Sequence, residues 1–291
     1  MEPKLVITMT SWTKRIHMAA VTILHFIEHQ TDSYDKFYLF LAKTEFKSIK
    51  ELPETLIRLS NEGKIEIVFL EKNYFSFKRM FVFPKHYNDI VISLDDDTLY
   101  PSDLIKTVKT YYRLYDKSIY NIFYNIGGNL DAINGEQLNF YYGVNNSNTP
   151  VMFSHSLMFF AQCVFMPQTF PLEIIDYIEL KNKISPHDEE TWFTYFIIKN
   201  NTYLSTLPYN YETDITEIDK NDINANWKRL SRKCINYNCN CRELQFYITL
   251  RYFNYVDKFI EQFPDYSCNK FTNCSLEELL KEYDKSYYLP L

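Results

Sequence analysis

Four short apolar runs in the first hundred residues, each separated from the next by a stretch with helical features, restrict this chain to an α/β architecture with a mainly parallel sheet. The runs are Leu5-Val6-Ile7-Thr8-Met9, Phe37-Tyr38-Leu39-Phe40-Leu41, Ile65 to Leu70 and Asp89 to Leu94. Met18 to His29 carries apolar residues at helical spacing, and a second helical stretch, broken early by Pro53, runs to Asn61 and stops at Gly63. Right-handed crossovers put the carboxyl ends of all four strands on one edge, where open α/β sheets bind ligands. The segments expected there are Thr10 to Arg15, Ala42-Lys43, Glu71 to Asn73 and the residues after Leu94.

Those last residues are Asp95-Asp96-Asp97, followed by Thr98-Leu99-Tyr100-Pro101. Three adjacent carboxylates repel one another. They are tolerated when solvated, paired with bases or neutralised by a divalent cation, and carboxylate oxygens are the hard ligands that Mg²⁺ or Mn²⁺ prefers. A solvated acidic turn capping the next helix, with Ser102 and Asp103 as further cap candidates, is the plainer alternative. A place at the end of a buried strand favours a metal held against a phosphate.

With 291 residues, the chain has room for one large α/β domain or for a core domain with an appendage. A hydrophobic content of 46% excludes disorder, and the apolar runs are too short to span a bilayer. Met1-Glu2-Pro3-Lys4 leads into the first strand with no signal-peptide pattern, so the expected location is the cytoplasm. A net charge of −6 argues against nucleic acid as a partner. Five of six cysteines fall after residue 233, without the paired C-x₂-C spacing of zinc ribbons; they read as thiols.

Beyond a helix over Ser102 to Tyr112 the pattern changes. Tyr120 to Ile126 reads as a strand, Gly127-Gly128 as a turn, and Asn134 to Pro150 as a polar loop. Met158 to Phe165 returns to the core, and Leu172 to Leu180 reads as a helix. A second acidic cluster, Ser185-Pro186-His187-Asp188-Glu189-Glu190-Thr191-Trp192-Phe193, then opens another helix, with Ser185 or Asp188 able to cap it. Acids there complement the helix dipole; held rigidly on a helix start, one of them also suits a general base. Trp227 to Cys234 and Arg242 to Phe263 read as helices of an appended lobe.

A strand ending in an aspartate triplet, followed some ninety residues later by an acidic pair running into Trp, resembles the GT-A class of nucleotide-sugar glycosyltransferases. The likeness is closest to bacterial family-2-like enzymes of surface polysaccharide synthesis. Four segments carry it: Ile7 to Arg15 with Thr10-Ser11-Trp12-Thr13-Lys14-Arg15, Asn73 to Arg79, Asp89 to Pro101, and Glu189-Glu190-Thr191-Trp192-Phe193. One departure is Ala161-Gln162-Cys163-Val164-Phe165, where relatives often have glycines. The resemblance implies a GT-A, Rossmann-like, mainly parallel sheet flanked by helices over residues 1–215, divided into a nucleotide-binding half (1–101) and an acceptor half (102–215), with a small helical C-terminal lobe over 216–291.

It further implies a metal-dependent, inverting transfer of a sugar from a nucleoside diphosphate, UDP foremost, to a saccharide or lipid-linked acceptor. Mn²⁺ or Mg²⁺ is expected on Asp95 and Asp97, with Thr10, Trp12, Lys14, Arg15, Lys78, Asp95 and Asp96 around the nucleotide-sugar and Arg79 as a further phosphate partner. Glu189, Glu190 and Asp188 compete as the base, and one carboxylate opposite the leaving group gives inversion. A lipid-linked acceptor implies peripheral contact with the inner membrane face. Three alternatives stand beside this reading: a sugar nucleotidyltransferase, which normally has a glycine-rich loop that Met9 to Ile16 lacks; a non-catalytic assembly partner; and a phosphoesterase, which needs clustered histidines.

Overall fold

The computed structural model describes residues 2–114, 118–124, 128–133, 137–142, 151–152, 156–157, 162–184, 189–200, 202–210, 213–218, 234–235, 241–262 and 273–287. The strand–helix alternation forms as expected. Strands β1 (Leu5–Thr10), β2 (Lys36–Ala42), β3 (Glu66–Leu70) and β4 (Ile90–Leu94) pair in parallel in the order β3-β2-β1-β4. Helices α1 (Ile16–His29) and α2 (Glu54–Asn61) make the first two crossovers. The third is a 3₁₀ helix, Phe75–Val82, running into a single turn, α3 (Phe83–His86). Gly63 ends α2 at φ +70°, where the absence of a Cβ lets the Lys64 N–H fold back to the Leu59 carbonyl.

Beyond β4 lie β5 (Thr98–Leu99), α4 (Leu104–Leu114), β6 (Ser118–Tyr124), β7 (Gly128–Ile133), β8 (Gln137–Tyr142), β9 (Val151–Met152), β10 (Ser156–Leu157) and β11 (Cys163–Phe165). Then follow α5 (Glu173–Asp176), α6 (Ile178–Ile184), α7 (Glu190–Asn200), β12 (Tyr203–Asn210), β13 (Thr216–Glu217), α8 (Cys241–Tyr252), α9 (Val256–Gln262) and α10 (Leu276–Tyr287). The main sheet extends from β4 through β11, β6, β12 and β9 to eight strands. Among the described residues only β11 and β9 run against the other strands of that sheet, so it is mainly parallel. Both faces of β1 and β4 are covered, which is why these strands read as continuous apolar runs. Ile7, Met9, Ile92 and Leu94 pack with α1, α2 and α4; Val6, Val91, Cys163 and Phe165 pack on the other face with the 3₁₀ helix, α7, α8 and α10. Among the described residues no helix is long and apolar enough to cross a membrane.

Four sequence expectations need correction. The polar loop over Asn134 to Pro150 contains β8, paired antiparallel with β7 from Gly128↔Tyr142 to Ile133↔Gln137. Leu138, Phe140 and Tyr142 alternate with Gln137, Asn139 and Tyr141, a strand period masked by the surrounding Asn and Gly. The same pairing puts Gly128 in a strand and leaves Gly127 outside the described residues. The helix expected over Leu172 to Leu180 is two helices, α5 and α6, parted at Tyr177, whose ring packs on Phe196 and Phe253. Arg242 to Phe263 likewise divides into α8 and α9 at Asn254, which takes φ +52°, a left-handed conformation that Asn tolerates better than most side chains. Residues 158–161 and 227–233 of two further expected elements lie outside the described residues.

Candidate active site

Parallel pairing sets β1 and β4 side by side, Leu5 on Ile90 through Met9 on Leu94, so the loops that follow both begin at the same edge. Antiparallel β11 places Cys163 opposite Ser93 and thereby brings the start of β11, with Gln162, to that edge as well. The 3₁₀ helix crosses one face of the sheet, fastened by the Thr8 hydroxyl donating to the Arg79 carbonyl at 2.7 Å. Residues 216–218 pass beside the aspartate turn, with β13 on β5 and the Ile218 N–H donating to the Asp97 carbonyl at 2.8 Å.

Within the turn the three aspartates alternate. Asp95 and Asp97 keep 28% and 20% of their side chains exposed, whereas Asp96 keeps 6%. Asp96 points inward, accepting from the Ser11 hydroxyl at 2.6 Å and from Arg15 Nη1 at 3.0 Å. Its carbonyl accepts from the Thr22 hydroxyl at 3.0 Å, tying the turn to α1. Arg15 reaches Asp97 with its other amine. The Asp95 N–H donates to the Tyr100 hydroxyl at 2.7 Å, and its carboxylate accepts from Arg79 at 3.0 Å and from Gln162 at 3.2 Å.

Arg79 is 3% exposed. Its Nη1 serves Asp95 and the Leu94 carbonyl, and its Nη2 donates to Glu189 Oε1 at 2.6 Å. Burial alone would lower the pKa of this guanidinium; the facing Glu189 and Asp95 carboxylates reverse that and raise it, so it stays charged. Glu189, also 3% exposed, sits immediately before α7, and its Oε2 is buried with no hydrogen-bond partner among the described residues. Glu190, one residue on, faces Arg242 at the start of α8 instead, at 3.5 Å.

Crowding shows in the titration of the acids. Burial, with Asp95 and Asp96 adding repulsion that Arg15 offsets only in part, pushes the Asp97 carboxyl up to about 7. Burial raises Asp96 too, against the pull of Arg15 and Ser11. Negative charge therefore exceeds what the neighbouring bases neutralise. Among the described residues no group of three or more His, Cys, Asp or Glu side chains is arranged to hold a metal by itself. Asp95 and Asp97 do present two rim carboxylates, the number that Mg²⁺ commonly takes from a protein when substrate phosphates complete its shell. The donor set and its excess charge fit such an ion.

The remaining sequence candidates are placed differently. Thr10 spends its hydroxyl on the Phe40 carbonyl at 2.8 Å. Trp12 is half-buried beneath Lys14, whose Nζ lies 5.4 Å from the ring centroid. Lys78 is buried in an internal ion pair with Glu45 at 3.1 Å and also donates to Asn73 at 3.1 Å; burial lowers its pKa, against the opposing pull of Glu45. Asp188 lies outside the described residues. Ser11, Tyr100 and Gln162 were not singled out by sequence. The phenol at the end of the DDDTLY string could have been, since buried hydroxyls seek partners, while Gln162 carried no signal beyond replacing an expected glycine stretch. Cys163, Cys234, Cys241 and Cys274 are buried or half-buried thiols; Cys239 and Cys268 fall outside the described residues.

No protein-family model matches the chain, and no curated protein does. Solved structures resemble it at low identity. The UDP complex of S. aureus TarS 1–349 is 13% identical, with a TM-score of 0.45 over 70% of this chain and 60% of that one, so the chain spans about 60% of the TarS structure's length. The mannosyltransferase PcManGT from Pyrobaculum calidifontis, in complex with GDP-Man and Mn²⁺, is 10% identical, with a TM-score of 0.48 over 98% of this chain and 74% of that one. The inositol-1-phosphate CTP transferase from T. maritima is 10% identical, with a TM-score of 0.42 over 75% and 90%. Similarity at this level says nothing about substrate.

Proposed function

We propose that the chain is a metal-dependent, inverting glycosyltransferase that moves a sugar from a nucleoside diphosphate, UDP foremost, to a saccharide or lipid-linked acceptor in surface polysaccharide synthesis. One observation carries the reading: a single buried guanidinium, Arg79, joins the aspartate turn to Glu189, which supports taking the two acidic clusters of the sequence as one site. A solvated acidic turn has no use for such a connection. In this reading Asp95 and Asp97 hold Mn²⁺ or Mg²⁺, which when bound neutralises charge on the departing diphosphate.

The chain's own residues supply the rest. Arg15, at the rim, is the bidentate partner for phosphate, and Lys14 on Trp12 adds positive charge beside it. Glu189 is the base. Its Oε1 is held by Arg79 and its Oε2 accepts the acceptor hydroxyl proton as that oxygen bonds to the anomeric carbon and the bond to the diphosphate breaks. A single base opposite the leaving group inverts the anomeric centre. Glu190, engaged with Arg242, is the weaker candidate. Catalysis belongs to residues 1–215; in 216–291 β13 and Ile218 brace the aspartate turn, and the helices beyond form a support whose α8 packs on α7 and α10. Peripheral contact with the inner membrane face in the cytoplasm belongs to the same proposal.

Calorimetric titration of UDP, GDP and CDP, with and without Mn²⁺, tests it. Metal-dependent binding of one nucleotide, lost in Asp97→Ala, is the expected result. No binding of any of the three by the folded protein would overturn the reading.

A further inference from the structure

Arg79 looks, in the sequence, like one more phosphate partner; its place in the fold says otherwise. Its carbonyl is locked to Thr8 in the middle of β1, its side chain is buried, and its two amines are committed to Leu94, Asp95 and Glu189. It spans 16 residues of sequence to reach Asp95 and 110 to reach Glu189. Arg15, by contrast, stands at the rim with 20% of its side chain exposed. We propose that Arg79 is a positioning residue, a buried strut that fixes the distance and angle between the aspartate turn and the Glu189 carboxylate without touching phosphate. The inference rests on the transferase reading above.

The fork geometry is what makes this an arginine's task. One planar guanidinium offers parallel N–H groups on two edges, so a carboxylate on each edge is held at a fixed separation and in a fixed plane. A lysine ammonium at the same place is a point charge on a flexible stem, able to neutralise either acid but not to set the geometry between them. Glu189 precedes α7 and Asp95 follows β4, two elements with no covalent connection nearby; the strut makes them one unit. Because Arg79 holds Oε1, Oε2, which has no hydrogen-bond partner among the described residues, is the oxygen left to take a proton.

The test is Arg79→Lys, assayed by thermal melting, Mn²⁺-dependent nucleotide titration, and the ratio of sugar transfer to donor hydrolysis by water. A strut predicts a folded variant with nucleotide affinity within about threefold of wild type, because no phosphate contact is lost. It predicts kcat for transfer lowered by about a hundredfold, the effect of misplacing a reacting group by about 1 Å, with KM for the donor little changed. Transfer falls more than hydrolysis, since water needs no fixed acceptor geometry. Wild-type kcat in the lysine variant would overturn the inference, as would a loss of nucleotide affinity in proportion to kcat, the signature of a phosphate clamp. If Arg79→Lys does not fold, the double variant Arg79→Met with Glu189→Gln removes both buried charges together; retained metal-dependent nucleotide binding there supports the strut, and lost binding refutes it. Failure of wild-type protein to bind nucleotide at all would instead sink the transferase reading.

Discussion

Replacing Asp97 by Asn should make the ligand-free protein more stable while destroying its proposed function, and the size of the effect follows from the crowding of the turn. An ordinary aspartate titrates at 3.8 and Asp97 at about 7. The unfolded chain therefore loses this proton near pH 4 and the folded chain near pH 7. Between those values the folded state holds the extra proton, so stability falls as pH rises, and the loss is complete above about pH 7. At 1.36 kcal/mol for each tenfold change in proton affinity, the ionised carboxylate costs the fold about 4 kcal/mol at pH 8 and about 1.5 kcal/mol at pH 5. Asparagine keeps an oxygen for Arg15 and carries no charge. For a chain of this size about 1 kcal/mol moves the melting temperature by roughly 2 °C. Asp97→Asn should then melt about 8 °C above wild type at pH 8 and about 3 °C above it at pH 5, by calorimetry or circular dichroism in chelator. Mn²⁺ with the cognate nucleotide should raise wild type and leave the variant unmoved. A variant less stable than wild type at pH 8, or a difference that does not widen with pH, would refute the reasoning.

Other substitutions probe separate links. Glu189→Gln should lower kcat for transfer by about 10²- to 10⁴-fold with metal-dependent nucleotide binding retained, read by product formation beside calorimetry; wild-type turnover would move the base to Glu190. Tyr100→Phe deprives the Asp95 N–H of its acceptor, 2.7 Å away, and should cost about 1–3 kcal/mol in the denaturant midpoint. Ser275→Ala removes a capping box in which the Ser275 N–H donates to Glu278 at 2.7 Å and the Glu278 N–H to the Ser275 hydroxyl at 3.2 Å; about 1 kcal/mol should be lost, with nucleotide affinity unchanged.

What the sequence made legible was whatever depends on local pattern. Strands β1, β2 and β4 are buried almost throughout and β3, at the sheet edge, is half-buried, so their apolar runs survive without any help from context, and Gly63 marked the end of α2 because only its backbone takes φ +70° freely. The aspartates stood out for the same reason, three like charges after a buried strand. What stayed hidden depends on tertiary contact. The break at Tyr177 is visible only once Phe196 and Phe253 are placed around its ring, and β8 needed β7 as a partner. Within the site, residue type was read well and direction poorly. Lys78 and Arg79 are adjacent basic residues on one 3₁₀ helix, yet one turns to Glu45 and Asn73 and the other to Asp95 and Glu189. No composition rule separates them, because the difference is which way a short helix presents its side chains beneath a sheet.

The charge balance of the site gives these roles a common cause. When ionised, Asp95, Asp96, Asp97 and Glu189 bring four negative charges to one edge, and Arg15 and Arg79 return two positive ones. The buried half of this set is balanced locally, Asp96 by Ser11 and Arg15 and Glu189 by Arg79. Arg15 is also shared with Asp97 and Arg79 with Asp95, so two of the four negative charges are left over at this edge, and the raised Asp97 carboxyl records the excess. A cluster meant only for stability would have been relieved by amides, since pairing buried acids with bases seldom stabilises more than an apolar or neutral packing does. Keeping the deficit at the solvent-facing edge costs folding free energy, and in the proposed reading a divalent cation with its phosphate offsets it. Arg15 then has two possible partners, Asp97 in the ligand-free chain and phosphate in the loaded one, whereas Arg79 has none to exchange. That asymmetry, a rim base that can change partners over an inner base fixed between two acids, is what the proposed reading requires of a donor site joined to the carboxylate proposed as its base.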